Sequence, residues 1–518
     1  MILPTIISEN SRIHGRRVAV LDDERTFTWT EFADRVARAA GVLRSLGLYR
    51  GERFAIVMRN SFRFAELLWA GYWSGIVPVP VNWRLSPLEI GAILEDCDAK
   101  LVAAEAEFLP MLNSPALSPW RTRLLTVEAA SGRQAQYETL IAAATPAPQE
   151  QVDAHDDAIL LYTSGTTGRG KGVRLTHHNI LSNAWQLGLA IGVRPSDVYL
   201  HVAPMFHSAD LNGTICFLLG GSHVYVPQFM PEIVAAAIER HHVTISNWVP
   251  TMVKMMADAP AIEHFDLTSL RLILYGSSPM PAEWLRAARQ KLPEADLHGS
   301  YGLTETSPIL TTLDHASHLR CFQSGDPSLL KSVGKPMPGL EMRIVDDRDQ
   351  PLPLGKTGEI VVRGPQLSPG YYKRDEDNKR AFRGGWFHTG DVGRFDDDGN
   401  LYLVDRIKDV IITGGENVYS TEVEIVLYRH PGISEAAVIG VPDDRLGEAL
   451  FAVIVPKSDA TLTAEGVVEH CRAYIGGYKI PRQMVFVDAL PRTALGKVQK
   501  GVLRKTYANP ADWSAKHR

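Results

Sequence analysis

The sequence predicts an α/β protein: a large N-terminal domain of largely parallel sheets, a small β-rich subdomain, and then an α+β C-terminal domain. Three observations lead there. Short apolar runs alternate with amphipathic helical stretches along the first part of the chain, each run ends in small or turn residues, and past Leu330 the texture changes to short strands and tight turns. With 518 residues the chain exceeds what one hydrophobic core serves, so several cores are expected.

Taken in order, Thr28 stands three residues before Glu31 and opens a pattern of Phe32, Val36, Ala39, Leu43 and Leu46, which reads as a capped amphipathic helix. RFAIVMRN then reads as a strand, Phe64 to Trp73 as a helix, and IVPVPV as another strand. The rhythm returns with a helix from Pro231 to Arg240 before HVTISNWVP, and with LRLILYG before PAEWLRAARQKL. In open α/β sheets ligands gather beyond the carboxyl ends of strands, so the loop from Gly276 to Pro279 is a candidate binding edge. MRIVDD, GEIVVRG and WFHTGDVGRFDDDGNLYLVD form the β-rich part. A boundary is expected at about residue 405, which divides the chain into 1–404 and 405–518.

Composition narrows the function. Apolar residues at 45% and charged residues at 22% suit a soluble globular protein and exclude a disordered or fibrous one. The 54 basic and 59 acidic residues leave no general field for nucleic acid or an anionic membrane, so no nucleic-acid partner is expected. MILPTIISENSRIHGRR lacks the basic region and apolar core of a signal peptide. No run approaches the roughly 20 apolar residues of a spanning helix. Cys97, Cys216, Cys321 and Cys471 lie far apart with no metal-ligand spacing, against structural zinc and a disulfide framework. A cytoplasmic location follows, with peripheral membrane association and homodimerisation left open.

The strongest local signal is YTSGTTGRGKG, where an apolar run leads into Thr163, Ser164, Gly165, Thr166, Thr167, Gly168, Gly170 and Lys171. Glycines let backbone N–H groups turn inward around an anion, hydroxyls add donors, and the lysine adds charge, a combination suited to polyphosphate. A Walker A loop would need Ser or Thr after the lysine to hold magnesium, and Gly172 stands there, so that alternative fails. The stretch resembles the signature of the adenylate-forming superfamily, which holds acyl-CoA synthetases, luciferases and peptide-synthetase adenylation domains. The resemblance covers nearly the whole chain.

LHGSYGLTET supplies Gly299, Ser300, Tyr301, Gly302, Thr304 and Glu305. The resemblance gives Tyr301 to the adenine face, Thr304 to a phosphate and Glu305 to Mg2+, and each fits its chemistry: an aromatic face, a hydroxyl donor and a hard oxygen ligand. Gly276, Ser277 and Ser278 resemble the loop on the other side of the adenine. Asp391 in WFHTGD offers two acceptor oxygens to the ribose hydroxyls, and Arg406 in DRIKD resembles the arginine that contacts ribose or phosphate. Lys497 in PRTALGKVQK matches the family lysine that touches the carboxylate and α-phosphate as charge builds, and it is the expected main catalytic residue.

The resemblance further implies that the C-terminal domain rotates between two half-reactions, with Lys408 at the hinge. Gly414, Gly415, Glu416 and Asn417 in GGENVYS resemble the CoA-ligase form of the loop that faces CoA, and Lys479 is a candidate contact to a CoA phosphate. Met205, Phe206 and His207 border the acid in the family, and Trp248 is a candidate wall with Gly302; a lone histidine beside an apolar face is otherwise a packed core residue. The expected function is ATP- and CoA-dependent formation of an acyl-CoA through an acyl-adenylate, from a medium- or long-chain fatty acid or an aromatic acid, with Mg2+. A carrier-protein loader, a luciferase-like oxidase, a P-loop NTPase and a non-catalytic nucleotide-binding relative are the alternatives. The presence of Glu305 and Lys497 argues against the last.

Overall fold

The structure, a computed structural model, describes residues 1–22, 25–127, 136–163, 170–278, 280–413, 416–443, 445–458, 460–493 and 497–508, with the Leu112 side chain outside the description. Ser164, Gly165, Thr166, Thr167, Gly168, Pro279, Gly414 and Gly415 therefore lie outside the described residues. Two compact units are present. One is 1–341 with 362–387, and the other is 342–361 with 388–518.

In the first unit, the helix Trp29–Ser45 begins as its sequence requires: the Glu31 N–H donates to Thr28 Oγ1 at 3.3 Å and the Thr28 N–H donates to Glu31 Oε2 at 2.8 Å. Such a reciprocal cap contributes about 1 kcal/mol. The helix Phe62–Ser74 is buried on every side, with Phe62 and Phe64 fully enclosed, and it stops at Gly75, whose φ of 68° only glycine adopts without strain.

Six strands form a parallel run across the main sheet of this unit, in the order Asp296–Tyr301, Leu272–Tyr275, Ile245–Trp248, Val198–His201, Ser222–Tyr225 and Val18–Leu21. Thr311–Leu313 and then Lys335–Pro336 add antiparallel to one side, and Thr26–Thr28 adds antiparallel to the other. A second, all-parallel sheet runs Val77–Pro80, Arg53–Val57, Ala99–Glu105 and Leu124–Val127. A third is antiparallel, from Gly370–Tyr371 through Lys171–Thr176 to Asp157–Thr163. Helices cover the sheets, and one core packs Trp248, Ile273 and Leu297 against Val253, Leu285 and Ala288. The α/β expectation holds element by element here.

The second unit contains most of the sheet Glu341–Val345, Gly358–Arg363, Phe387–Phe395 and Leu401–Arg406. A further sheet pairs Glu416–Val418, Ile411–Thr413, Gly447–Pro456 and Ile433–Asp443, with Gln483–Phe486 parallel to Gly447–Pro456. The β-rich strands thus pack with the C-terminal part. Pairing is the reason, since Asp391 lies opposite Arg406 across the residue-405 boundary and the ladder runs on to Phe395 opposite Leu401.

Candidate active site

The parallel register fixes where the main-sheet loops emerge. Trp248 lies opposite Tyr275, Tyr275 opposite Gly299, and Ser246 opposite Leu200, so the chain leaves four adjacent strands at one carboxyl edge. Four segments gather there: 202–208, Val249, 276–278 and 302–306.

Close backbone approach explains two glycines at this edge. A Cβ on Gly276 would lie 2.4 Å from Ser300 Oγ, and one on Gly302 would lie 1.8 Å from the Pro308 carbonyl oxygen. Gly302 is a candidate wall of the acid site, and this close approach gives the glycine a second reason. Ser300 Oγ donates to the Tyr275 carbonyl at 2.9 Å, which ties the 276–278 loop to the strand carrying Tyr301. Ser277 holds a φ of 74°, a left-handed turn, and Ser278 follows it. Tyr301 is buried, with 8% of its surface exposed.

Thr304 and Glu305 lie in the single turn Thr304–Thr306. Thr304 Oγ1 is 3.2 Å from Ser208 Oγ, which joins the 302–306 segment to the turn that follows His207. Glu305, 8% exposed, accepts the Tyr371 hydroxyl at Oε1 from 2.8 Å, and its carbonyl accepts the Ser368 N–H at 2.8 Å. The Tyr371 ring also lies under the Lys171 ammonium, 4.9 Å from its centroid. Lys171 meets Asp377 Oδ1 at 3.0 Å. Burial alone would raise the Asp377 carboxyl, yet hydrogen bonds from Lys171 and Arg380 hold it below its usual range.

Thr163 lies opposite Lys171 in an antiparallel hairpin that brackets the expected phosphate loop. A Walker A loop opens into a helix, whereas here Lys171–Thr176 is a strand and the helix begins only at His177. The local fold thus agrees with the exclusion drawn from Gly172. Thr163 and Lys171 mark the two ends of the loop, and Tyr371 links the Lys171 end to Glu305.

On the acid side, Met205 is buried and its N–H donates to Asn60 Oδ1 at 2.8 Å, while Asn60 Nδ2 donates to the Ala203 carbonyl at 2.9 Å. His207 Nε2 is buried without a hydrogen-bond partner among the described residues. Burial, and then the Arg84 charge, push the imidazole down to about 4, so it is neutral at neutral pH. The turn after His207 is pinned from below, because Asp210 Oδ1 is 2.6 Å from His201 Nδ1 and His201 Nε2 is 2.9 Å from His223 Nδ1. Trp248, expected as a pocket wall, is fully enclosed: its indole donates to Ser246 Oγ at 2.8 Å and packs edge-on against Phe229.

The second unit gathers its own residues. Asp391 is buried, and its Oδ1 receives the Arg406 guanidinium at 2.8 Å, so of the two oxygens expected to serve ribose one is already engaged. Lys497 is exposed over much of its surface, and its ammonium feels the charges of Arg406, Asp391, Lys408 and Asp409. Burial first, then repulsion from Arg406 and Lys408, draws it down to about 8 against the pull of Asp391 and Asp409. The expected catalytic lysine, ribose carboxylate, arginine and hinge residue thus share one electrostatic neighbourhood. Lys408 itself is lowered, chiefly by burial, within the single turn Ile407–Asp409. Glu416 starts the strand Glu416–Val418 and is exposed. Lys479 meets both oxygens of Glu422, at 2.7 and 2.8 Å, so its charge is already paired.

Sequence reasoning missed Tyr371, Asp377 and Glu359. Glu359 Oε2 is 2.8 Å from His388 Nδ1 and its Oε1 accepts the Gly390 N–H at 3.2 Å, which braces the turn just before Asp391. Asp349, Glu359 and His388 bring metal-ligand atom types together, but both Glu359 oxygens serve that brace. The spacing H-T-G-D was visible, whereas the distant glutamate was not.

Among known proteins, the pattern of the AMP-binding enzyme matches residues 7–372 and that of the AMP-binding enzyme C-terminal domain matches residues 422–497. A feruloyl-CoA synthase from Amycolatopsis sp is 36% identical over 500 residues, 96% of this chain and 97% of that protein. A long-chain-fatty-acid–CoA ligase from Mycobacterium tuberculosis is 34% identical over 482 residues, 93% of each. The crystal structure of ATP-bound MatB from Rhodopseudomonas palustris superposes with a TM-score of 0.87 at 30% identity, over 98% of this chain and 99% of that one. With these matches spanning both parts of the chain, it belongs to the AMP-binding enzyme family and is an adenylate-forming acid–CoA ligase of that family.

Proposed function

We propose that the ligase works in two half-reactions on an apolar acid, either aromatic or a medium- or long-chain fatty acid. In the first, a carboxylate oxygen attacks the α-phosphorus of ATP and the bond to the β-phosphate breaks, releasing pyrophosphate. In the second, the CoA thiolate attacks the acyl carbonyl, the carbon–oxygen bond breaks, and AMP leaves. The observation that supports this best is the linked set at the sheet edge: Ser208 to Thr304 beside His207, and Lys171 through Tyr371 to Glu305. This supports the reading because the groups proposed to bind phosphate are linked to the turn proposed to hold the acid. The relatives act on ferulate and on long-chain fatty acids by their names, in keeping with an apolar acid.

In this reading Thr163, Ser164, Gly165, Thr166, Thr167, Gly168 and Lys171 hold phosphates. Gly276, Ser277, Ser278, Ser300 and Tyr301 hold adenine, and Asp391 with Arg406 holds ribose. His207 is neutral and its unpaired nitrogen orients the acid. Lys497 supplies positive charge where the pentacovalent phosphorus develops negative charge. Glu305, a nearly buried carboxylate beside a threonine hydroxyl, has the hard oxygen chemistry that suits Mg2+, which when bound neutralises phosphate charge. Gly414, Gly415, Glu416 and Lys479 serve CoA, and Lys479 must then release Glu422. Residues 405–518 turn as a body about Lys408 between the two steps.

A panel of carboxylic acids with ATP, Mg2+ and CoA tests this, with AMP and thioester followed together. Equal amounts of AMP and acyl-CoA are expected from an apolar acid. ADP as product, or transfer to a carrier protein with none to CoA, would reject the reading.

A further inference from the structure

Tyr371 touches both ends of the phosphate-binding apparatus with different parts of one side chain. Its ring lies 4.9 Å from the Lys171 ammonium, and its hydroxyl donates to Glu305 Oε1 at 2.8 Å. The backbone beneath it is locked from two sides. Tyr371 lies opposite Val173 in the antiparallel sheet, its N–H donates to Asn378 Oδ1 at 2.7 Å, and its carbonyl accepts Asn378 Nδ2 at 2.9 Å. Gly370, at a φ of 135°, lets this clamp close, since a Cβ there would lie 2.8 Å from Asn378 Oδ1. On its far side Lys171 is held by Asp377 from the same short helix as Asn378.

We propose that Tyr371 is a positioning residue: its hydroxyl aims the Glu305 carboxylate at a divalent cation, and its ring holds the Lys171 ammonium ready for phosphate. This rests on the adenylating roles of Glu305 and Lys171 proposed for the reaction. A hydrogen bond to a carboxylate fixes the plane in which its oxygens present their lone pairs, and partners of this kind around a metal ligand alter metal affinity about 10- to 100-fold. A cation over an aromatic face gains further attraction when partly desolvated, and the Lys171 side chain is only 22% exposed.

The test is calorimetric binding of ATP to the full chain without acid, once in EDTA and once with excess Mg2+. Tyr371→Phe keeps the ring and loses the hydroxyl. It should bind ATP in EDTA within about twofold of wild type, while the gain in affinity on adding Mg2+ falls about tenfold. Tyr371→Leu should lose affinity in EDTA as well. Glu305→Gln should lose the Mg2+ gain, and Tyr371→Phe added to it should cost nothing more, because the two side chains act as one. A full Mg2+ gain in Tyr371→Phe, equal losses with and without Mg2+, or additive losses in the pair would each overturn the proposal. If Tyr371→Phe does not fold, Asn378→Ala, which loosens the clamp from outside, must still reduce the Mg2+ gain, and an unchanged gain overturns the proposal. Acyl-CoA formation by wild type is measured separately, so failure here leaves the reaction assignment standing.

Discussion

Raising the pH should switch off the first half-reaction well before an ordinary lysine would titrate. Lys497 is drawn down to about 8 by burial and by Arg406 and Lys408, and only its ammonium form can offset charge on the α-phosphate. With a value near 8, about nine-tenths of the free enzyme carries the charge at pH 7 and about one-thirtieth at pH 9.5, whereas a lysine near 10.4 would still be about nine-tenths charged there. Acid-dependent exchange of labelled pyrophosphate into ATP measures this step alone. Its kcat/KM, which reports the free enzyme, should fall about thirtyfold between those pH values. The limb in kcat should sit higher, since bound phosphates favour the ammonium. Lys497→Arg carries a charge that does not titrate in this range and should flatten the limb, whatever it costs in absolute rate. A profile in kcat/KM that is level to pH 9.5, or a limb that persists unchanged in Lys497→Arg, would refute the argument.

Lys497→Ala should lose pyrophosphate exchange by a factor on the order of 100 to 1000 while converting a pre-made acyl-adenylate to acyl-CoA nearly as wild type, and equal loss of both contradicts the role. Lys408→Pro should do the reverse, impairing thioester formation more than exchange, because proline stiffens the turn at the proposed hinge. Gly302→Ala would set a methyl 1.8 Å from the Pro308 carbonyl and should destabilise the 302–306 turn, seen as a lower melting temperature together with a raised KM for ATP. Glu359→Ala removes the brace on the turn before Asp391 and should raise the KM for ATP more than that for the acid, and equal increases would contradict it.

Much of the fold was legible because local chemistry and tertiary packing agree. Thr28 and Glu31 announce their helix, and the apolar run LRLILYG becomes the strand Leu272–Tyr275, whose end carries the loop expected to bind. The alternative loop class was excluded from one residue, Gly172, and the strand that follows Lys171 agrees. What sequence could not supply was pairing between distant positions. Nothing near Glu305 points to Tyr371, nor near His388 to Glu359, because those contacts join segments brought together only on folding. The surroundings of Trp248 are likewise set by folding, since Ser246 accepts its indole N–H and Phe229 packs edge-on against it. The pairing of Asp391 with Arg406 is also made between positions that only the folded ladder brings together.

The proposed reaction turns on the acid's own oxygen bonding to the innermost phosphorus of ATP. An acid labelled with oxygen-18 in its carboxylate, incubated with the enzyme, ATP, Mg2+ and CoA, tests it directly by mass spectrometry of the nucleotide product. One labelled oxygen should pass to AMP for each acyl-CoA formed, since the carbon–oxygen bond breaks when the thiolate attacks. Label recovered in inorganic phosphate alongside ADP, or AMP formed without label, would contradict it.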